Sequence, residues 1–174
     1  MIESFNGKTP QIPKSAFIHP TACIIGDVVL GENCSVWPCA VIRADFGKIT
    51  IGDNAAIEDN VVIHSGAPIV TYCDVTIGNS VHIGHGAVLN CRSIGNNVLI
   101  GMNSTILHNA DIGNFCIISA ACLVRQDAKI PDYSFVAGVP GSVKSKVAGD
   151  QLFWLKDATK IYADLVKQYR EGKK

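Results

Sequence analysis

The chain has 174 residues, of which 48% are hydrophobic, and its 15 Lys and Arg residues balance its 15 Asp and Glu residues. This length suits one domain with its own core, so we treat residues 1–174 as a single domain. Because no basic cluster precedes the terminal YREGKK, we expect neither nucleic acid nor a membrane as a partner.

The N-terminal segment and the cysteines both indicate a cytoplasmic protein. MIESFNGK lacks the basic start and apolar run of a secretion signal. No stretch approaches the roughly 20 apolar residues that a membrane span requires. The seven cysteines are odd in number and lack CxxC spacing, which is typical of free thiols in a reducing compartment.

A six-residue repeat of aliphatic residues runs through most of the chain. Its positions are Ile18, Ile24, Leu30, Val36, Ile42, Ile51, Ile57, Ile63, Ile77, Ile83, Leu89, Ile94, Ile100, Ile106, Ile112, Ile118, Val124, Ile130 and Val136. A helix repeats near 3.6 residues and an isolated strand at 2, so a period of six requires short strands joined by tight corners. The pattern resembles that of the left-handed parallel β-helix proteins, and the resemblance implies the handedness. We predict an all-β solenoid of this kind over residues 12–140.

Small residues recur four positions after the aliphatic ones. Cys34, Cys116 and Cys122 are among them, and a thiol in that inward position packs as a compact hydrophobe. We therefore expect these three cysteines to be structural.

The repeat is interrupted three times between residues 43 and 93. Three extra residues precede Ile51, eight extra residues precede Ile77 within SGAPIVTYCD, and one residue is missing after Leu89. Insertions in a solenoid become surface loops, where functional residues concentrate. We therefore expect the functional site in this segment.

The C-terminal segment DQLFWLKDATKIYADLVKQY has the spacing of an amphipathic helix. Its apolar stripe consists of Leu152, Leu155, Ala158, Tyr162, Leu165 and Tyr169. Spacings of three and four residues place these side chains on one side of a helix. We predict a helix over 150–170 that covers a face of the solenoid or a neighbouring subunit.

Grouping the turns by threes places polar residues of successive coils in columns. Arg43, His64 and Asn90 each directly follow a repeat position of one face, and neighbouring coils are about 4.8 Å apart. His85 and Asp59 share a column on a different face. His64 and His85 could therefore meet only across a subunit contact, which a three-fold axis through a three-sided prism allows. We predict a homotrimer.

Three segments resemble the γ-class carbonic anhydrases and their relatives, which include accessory proteins of phenylacetate and carnitine metabolism. They are VWPCAVIRADFGKITIGDNAAIEDNVVIH, VHIGHGAVLNC and IGNNVLIGMNSTIL. The resemblance implies a Zn²⁺ or Fe²⁺ ion at the trimer interface, held by three histidines. His64 corresponds to the first and the neighbour's His85 to the second, while the third position is Asn90.

The same resemblance suggests roles for the residues around the metal. Arg43 and Asp45 match a pair that joins the subunits near the metal. Glu58 falls where the family has a metal-facing glutamine, and we expect it to be the catalytic residue that manages the proton. Asp59 matches an aspartate that could orient a ligand, and His82 is expected in a supporting or corner-packing role.

Asn90 is the departure from the family pattern. Three neutral imidazoles acidify zinc-bound water toward a pKa of about 7, whereas an amide oxygen is a harder and weaker ligand. His108, eighteen residues after Asn90, and Cys91 are the alternative third ligands.

Three functions fit these observations. We expect reversible hydration of CO₂ to bicarbonate by a γ-type carbonic anhydrase-like lyase, in which a metal hydroxide attacks CO₂. One alternative is a non-catalytic trimeric accessory or scaffold protein. The other is a hexapeptide acyltransferase or CoA-thioester enzyme, in which a histidine in a cleft between subunits is the general base.

Overall fold

The computed structural model describes residues 1–66 and 73–172, and in this part of the chain short strands are followed by one helix. The strands are β1 (Ile2–Glu3), β2 (Phe17–Ile18), β3 (Cys23–Leu30), β4 (Ser35–Val36), β5 (Val41–Ile51), β6 (Ala56–Ile57), β7 (Val62–His64), β8 (Val75–Ile77), β9 (His82–Ile83), β10 (Val88–Leu89), β11 (Ser93–Ile94), β12 (Leu99–Ile100), β13 (Thr105–Ile106), β14 (Asp111–Ile112), β15 (Ile117–Ile118), β16 (Leu123–Val124), β17 (Lys129–Ile130), β18 (Ser134–Gly138) and β19 (Gly141–Lys146), and the helix is α1 (Asp150–Glu171).

The strands stack into the three faces of a prism. The first face contains the start of β5 with β7, β10, β13 and β16, and the second contains the end of β5 with β8, β11, β14 and β17. The third face contains β2, β4, β6, β9, β12, β15 and β18. From β6 to β15 each strand pairs in parallel with the strand three further on, so three turns complete one coil. The predicted solenoid is confirmed, with about seven coils, and it is consistent with the left-handed β-helix.

The repeat positions form the core of the prism. All are buried except Ile18 and Ile130, which lie toward the two ends and are partly buried against the core. Cys34, Cys116 and Cys122 are buried among them, as predicted. Burial raises the pKa of the Cys34 thiol to about 11, so this thiol stays protonated and packs as an apolar group.

Most corners hold one residue in the left-handed backbone conformation. Six of these residues are asparagines with φ between 53° and 59°, namely Asn33, Asn54, Asn60, Asn97, Asn103 and Asn109. Asparagine accepts this conformation more easily than most residues that carry a Cβ. The recurrence of Asn three positions after a repeat residue follows from this requirement.

A second set of Asp and Asn side chains forms a ladder along one corner of the prism. Its members are Asp53, Asn79, Asn96, Asn114 and Asp132. The Oδ1 atom of each accepts a hydrogen bond from a backbone N–H one coil earlier, at 2.7 to 2.8 Å. The ladder satisfies backbone donors that the corner removes from the strand pairing.

The longest insertion in the repeat lies between β7 and β8. Residues 67–72 of this insertion lie outside the described residues, so the expectation of a functional loop there is not tested by the structure. Asp74, the last residue of SGAPIVTYCD, accepts a hydrogen bond from the backbone N–H of Lys48 at 2.8 Å.

α1 packs along the third face, as the apolar stripe predicts. Tyr162 and Tyr169 meet Trp37 with their ring centroids 5.6 and 5.2 Å away. Further along the helix, Leu155 packs with Ile117 and Val147. Within the described residues, no helix is long and apolar enough to span a membrane.

The last coil ends in a reversal of the chain. β19 pairs with β18 in the antiparallel direction, whereas the other pairs of named strands are parallel. β19 forms the outer edge of the third face and is mostly exposed.

Asp111 on the second face is the centre of an ion cluster. Its carboxylate accepts hydrogen bonds from Arg92 Nε at 2.8 Å and Ser93 Oγ at 2.6 Å, and it also pairs with Lys129. The hydrogen bonds from Arg92 lower the pKa of Asp111 well below its ordinary value, against the opposing effect of burial, and Lys129 and Ser93 add to the decrease. The cluster joins three successive coils of the second face.

Removing one acceptor of the ladder should lower the stability of the fold. Asn96→Ala leaves the backbone N–H of Asn79 without its protein partner, so we expect the free energy of unfolding to fall by about 1 kcal/mol in urea denaturation. Asn96→Asp is the matched control, because an aspartate already serves at Asp53 and Asp132. An equal loss in both variants would contradict the ladder's role.

The ion cluster predicts a pH dependence of stability. Because the folded-state pKa of Asp111 is lowered, its contribution is complete above the unfolded-state pKa of about 3.9 and is lost as the pH falls through the folded-state value. Asp111→Asn should therefore be less stable than the unmodified chain at pH 7, and this difference should shrink below about pH 4. Thermal unfolding across this range measures it, and a difference that does not change with pH would refute the assignment.

Candidate active site

Four ionisable residues meet on the third face beside α1. Glu58 and Asp59 directly follow β6, while His82 lies in β9 and His85 follows that strand. β6 and β9 pair in parallel with Ala56 opposite His82, so the residues after the two strands are stacked as well. The predicted column of Asp59 and His85 is confirmed, because Asp59 Oδ2 lies 2.9 Å from His85 Nδ1.

Glu58 is a buried carboxylate with several hydrogen-bond donors. Its residue is only 3% exposed. Oε1 contacts His82 Nε2 at 2.8 Å and accepts a hydrogen bond from the Tyr162 hydroxyl of α1. Oε2 accepts a hydrogen bond from the backbone N–H of His85 at 2.8 Å. These contacts supply the partners that a buried carboxylate needs.

The imidazole of His85 lies between two carboxylates. Its Nδ1 faces Asp59, and its Nε2 lies 3.1 Å from Glu58 Oε2. The side chain is 47% exposed, although the Glu58 side chain next to it is 4% exposed. The site thus presents an accessible imidazole with a carboxylate facing each of its ring nitrogens.

A second polar group lies on the first face. Arg43 pairs with His64 in the strand register, and the Asn90 side-chain amide donates to the His64 carbonyl oxygen at 3.2 Å. The predicted column of these three residues is confirmed. Asp45 forms an ion pair with Arg43 and lies 2.8 Å from His64 Nε2.

The carboxyl of Asp45 is held in its charged form. Burial acts to raise its pKa, but the hydrogen bond with His64 and the charge of Arg43 outweigh burial, so the pKa is lowered. Arg43 and Asp45 thus form an ion pair within one chain, and their predicted role between subunits stays a prediction.

The predicted ligands do not form a metal site within one chain. Among the described residues no three His, Cys, Asp or Glu side chains lie close enough to hold a metal ion. His85 has a carboxylate at each ring nitrogen, and the Asn90 amide donates to a backbone carbonyl. The residues of a single chain therefore do not fit a zinc or iron ion, and the shared site between subunits stays a prediction.

The structure also places the alternative ligands. Cys91 is 1% exposed and belongs to the core, and burial raises the pKa of its thiol to about 12. Cys91 is therefore unable to act as an outward-facing ligand, and that alternative is wrong. His108 is half-buried at the corner after β13, and its role as a ligand stays a prediction.

Tyr162 is a residue of this site whose polar contact the sequence did not predict. We placed it in the apolar stripe of the helix, and its ring does pack there, with its centroid 4.8 Å from that of His82. Its hydroxyl reaches Glu58. The tyrosine within an otherwise apolar stripe could have indicated this contact, because a buried tyrosine hydroxyl usually finds a hydrogen-bond partner.

The chain matches a known family in both sequence and structure. The family model of the bacterial transferase hexapeptide (six repeats) matches residues 9–44 and 93–126. The carnitine operon protein CaiE of Escherichia coli strain K12 is 36% identical over 165 residues, which cover 94% of this chain and 81% of that protein.

Two solved structures match over nearly the whole chain. A hexapeptide transferase family protein from Anaplasma phagocytophilum has a TM-score of 0.90 and 31% identity, covering 97% of each chain. A Bacillus cereus protein provisionally named an acetyltransferase has a TM-score of 0.91 and 32% identity, covering 98% of this chain and 96% of that chain.

The prediction of a γ-type carbonic anhydrase-like lyase is wrong. The relatives named above are a carnitine operon protein, a hexapeptide transferase family protein and a provisional acetyltransferase, not CO₂-hydrating lyases. The prediction depended on the resemblance of three segments, in which Asn90 already departed from the ligand pattern, whereas these relatives match over nearly the whole chain. By its 31% identity to the hexapeptide transferase family protein over 97% of both chains, together with the matching family model, the chain belongs to the hexapeptide-repeat transferase family.

Proposed function

We propose that this protein transfers an acyl group from a CoA thioester to a hydroxyl or amine acceptor, with His85 as the general base. The observation that carries the proposal is the accessible imidazole of His85, which is held between Asp59 and Glu58. Family membership supports this chemistry, since the matching family model is one of transferases.

Asp59 and Glu58 have separate tasks in this proposal. Asp59 holds the proton on Nδ1 and thereby leaves Nε2 as the atom that exchanges a proton, as the orienting carboxylate does in catalytic triads. Glu58 lies close to Nε2 and stabilises the imidazolium that forms on proton uptake. Glu58 also binds the backbone N–H of His85, so it fixes the strand end that carries the base.

The proposed reaction needs no other residue to accept or donate a proton. Nε2 of His85 takes the proton of the acceptor O–H or N–H as the acceptor's lone pair attacks the thioester carbonyl carbon. A new C–O or C–N bond forms, and the C–S bond breaks with its electron pair leaving on the CoA sulfur. The proton on His85 then passes to that sulfur, which releases CoA as its thiol and restores the neutral base.

We also propose that the protein is a homotrimer. His64 with Asn90 and His85 with Asp59 lie on different faces of the prism, and subunits around a three-fold axis would bring such faces together. Exposed apolar side chains beside these groups support a contact there, because Phe46 is 50% and Val88 is 38% exposed.

The general base can be tested by replacing His85. His85→Gln should lower kcat/KM for acetyl-CoA by about 10² to 10⁴-fold, which is the usual contribution of a positioned base. Acceptors from a panel of amines and alcohols are screened first. Released CoA is separated by chromatography and detected by its adenine absorbance, because the seven cysteines of the chain would interfere with a thiol reagent.

His19→Gln is the matched control for this experiment. His19 bonds to Thr21 near the start of the solenoid, away from the site, and its replacement should leave turnover unchanged. Equal activity of His85→Gln and the unmodified chain would refute the role of His85. No turnover with any acceptor would favour the non-catalytic accessory protein instead.

The assembly can be tested by light scattering of the purified chain. We expect a particle of three times the mass of one chain, and Val88→Lys should shift it toward the monomer because a charge would be buried in the contact. Val143→Lys is the matched control, because Val143 is an exposed valine on β19, away from the proposed contact. A stable monomer of the unmodified chain would exclude any site shared between subunits.

A further inference from the structure

A cavity of about 520 Å³ opens between α1 and the third face, next to His85. Residues of β9, β12 and β15 and of the corners after them form its floor, and Trp154, Ile161 and Tyr162 of α1 form its wall. Its size is within the range of pockets that hold small organic ligands. The described residues of one chain suffice to form it.

The lining of this cavity is divided into a polar end and an apolar remainder. Glu58, His82 and His85 lie at the polar end, where both histidines contact Glu58. Beyond them the walls are largely hydrocarbon, with Leu99 and Met102 facing the helix side chains. A molecule that reacts at His85 therefore has a mainly apolar space directly beside its reacting atom.

The helix side of the cavity is exposed apolar surface. Trp154 is 60% exposed and Ile161 is 54% exposed, and Met102 on the opposite side is 51% exposed. Burying such surface against a hydrocarbon is favourable in water, whereas a sugar or a charged group would find few polar partners beyond the His85 end. The lining thus favours a flexible aliphatic chain.

We propose that this cavity binds the hydrocarbon chain of a medium-length fatty acyl thioester, with the thioester carbonyl at His85. The inference rests on the acyl-transfer function proposed above and names its substrate class. The inference predicts that kcat/KM increases with the length of the acyl group, up to the length of the cavity. Each methylene that becomes fully buried should contribute roughly fourfold, which corresponds to about 0.8 kcal/mol.

Binding can be measured without turnover. S-octyl-CoA is a thioether and has no carbonyl to attack, and CoA is the matched probe without the chain. S-octyl-CoA should bind at least tenfold more tightly than CoA and shift the tryptophan emission, because Trp154 lines the cavity. Trp154→Phe should remove most of the shift, since the remaining Trp37 is buried and does not line the cavity.

Turnover gives the second measurement. The ratio of kcat/KM for octanoyl-CoA to that for acetyl-CoA should exceed ten, with butyryl-CoA and hexanoyl-CoA between them. Trp154→Ala should reduce this ratio severalfold, and Ser119→Leu, which fills the cavity from the floor, should reduce it further. Phe153→Ala is the matched control, because Phe153 is 66% exposed on the same helix but does not line the cavity.

The outcomes separate the two proposals. Tight S-octyl-CoA binding without any turnover supports the cavity assignment and refutes acyl transfer. Turnover with no preference for longer chains, together with equal affinity for CoA and S-octyl-CoA, refutes the cavity assignment and leaves acyl transfer standing. A tryptophan shift that follows protein concentration instead of S-octyl-CoA would show that a second copy of the chain covers this surface, which also overturns the assignment.

Discussion

The buried carboxylate of Glu58 is the interaction on which the arrangement of the third face depends. It joins three parts of the chain that are distant in sequence, namely the end of β6, the β9 segment with His82 and His85, and α1 through Tyr162. A buried carboxylate without donors would cost several kcal/mol. The helix is therefore held against the solenoid by a polar contact as well as by its aromatic cluster, and this contact sits directly beside His85.

The parts of the site that follow from the repeat could be predicted from the sequence alone. Parallel strands hydrogen-bonded at a fixed spacing bring equivalent positions of successive coils together, so counting turns was enough to pair Arg43 with His64 and Asp59 with His85. Both pairs are present in the structure. The single-residue deletion after Leu89 did not disturb the columns, since it falls between the first and second faces, where the chain turns a corner.

The remaining parts could not be predicted because they do not share the period of the repeat. The rotation of α1 about its axis is set by packing, so nothing in the spacing placed the Tyr162 hydroxyl on Glu58. The chemical role of His85 could not be predicted for a second reason. Resemblance carries over the identity of a residue, but the carboxylates around the ring decide what the imidazole does, and only the folded chain shows that both nitrogens face one.

The reversal of the chain at β19 has a consequence for how molecules of this protein behave toward one another. A parallel solenoid that stopped at β18 would offer an unpaired strand edge to the first coil of another molecule, and repeated stacking would produce fibres. β19 covers that edge in the antiparallel direction, and its exposed Lys144 and Lys146 place positive charge where another strand would have to dock. On the third face, the strand edge that another molecule would have to join is therefore β19, which is antiparallel to the coils and carries these two lysines.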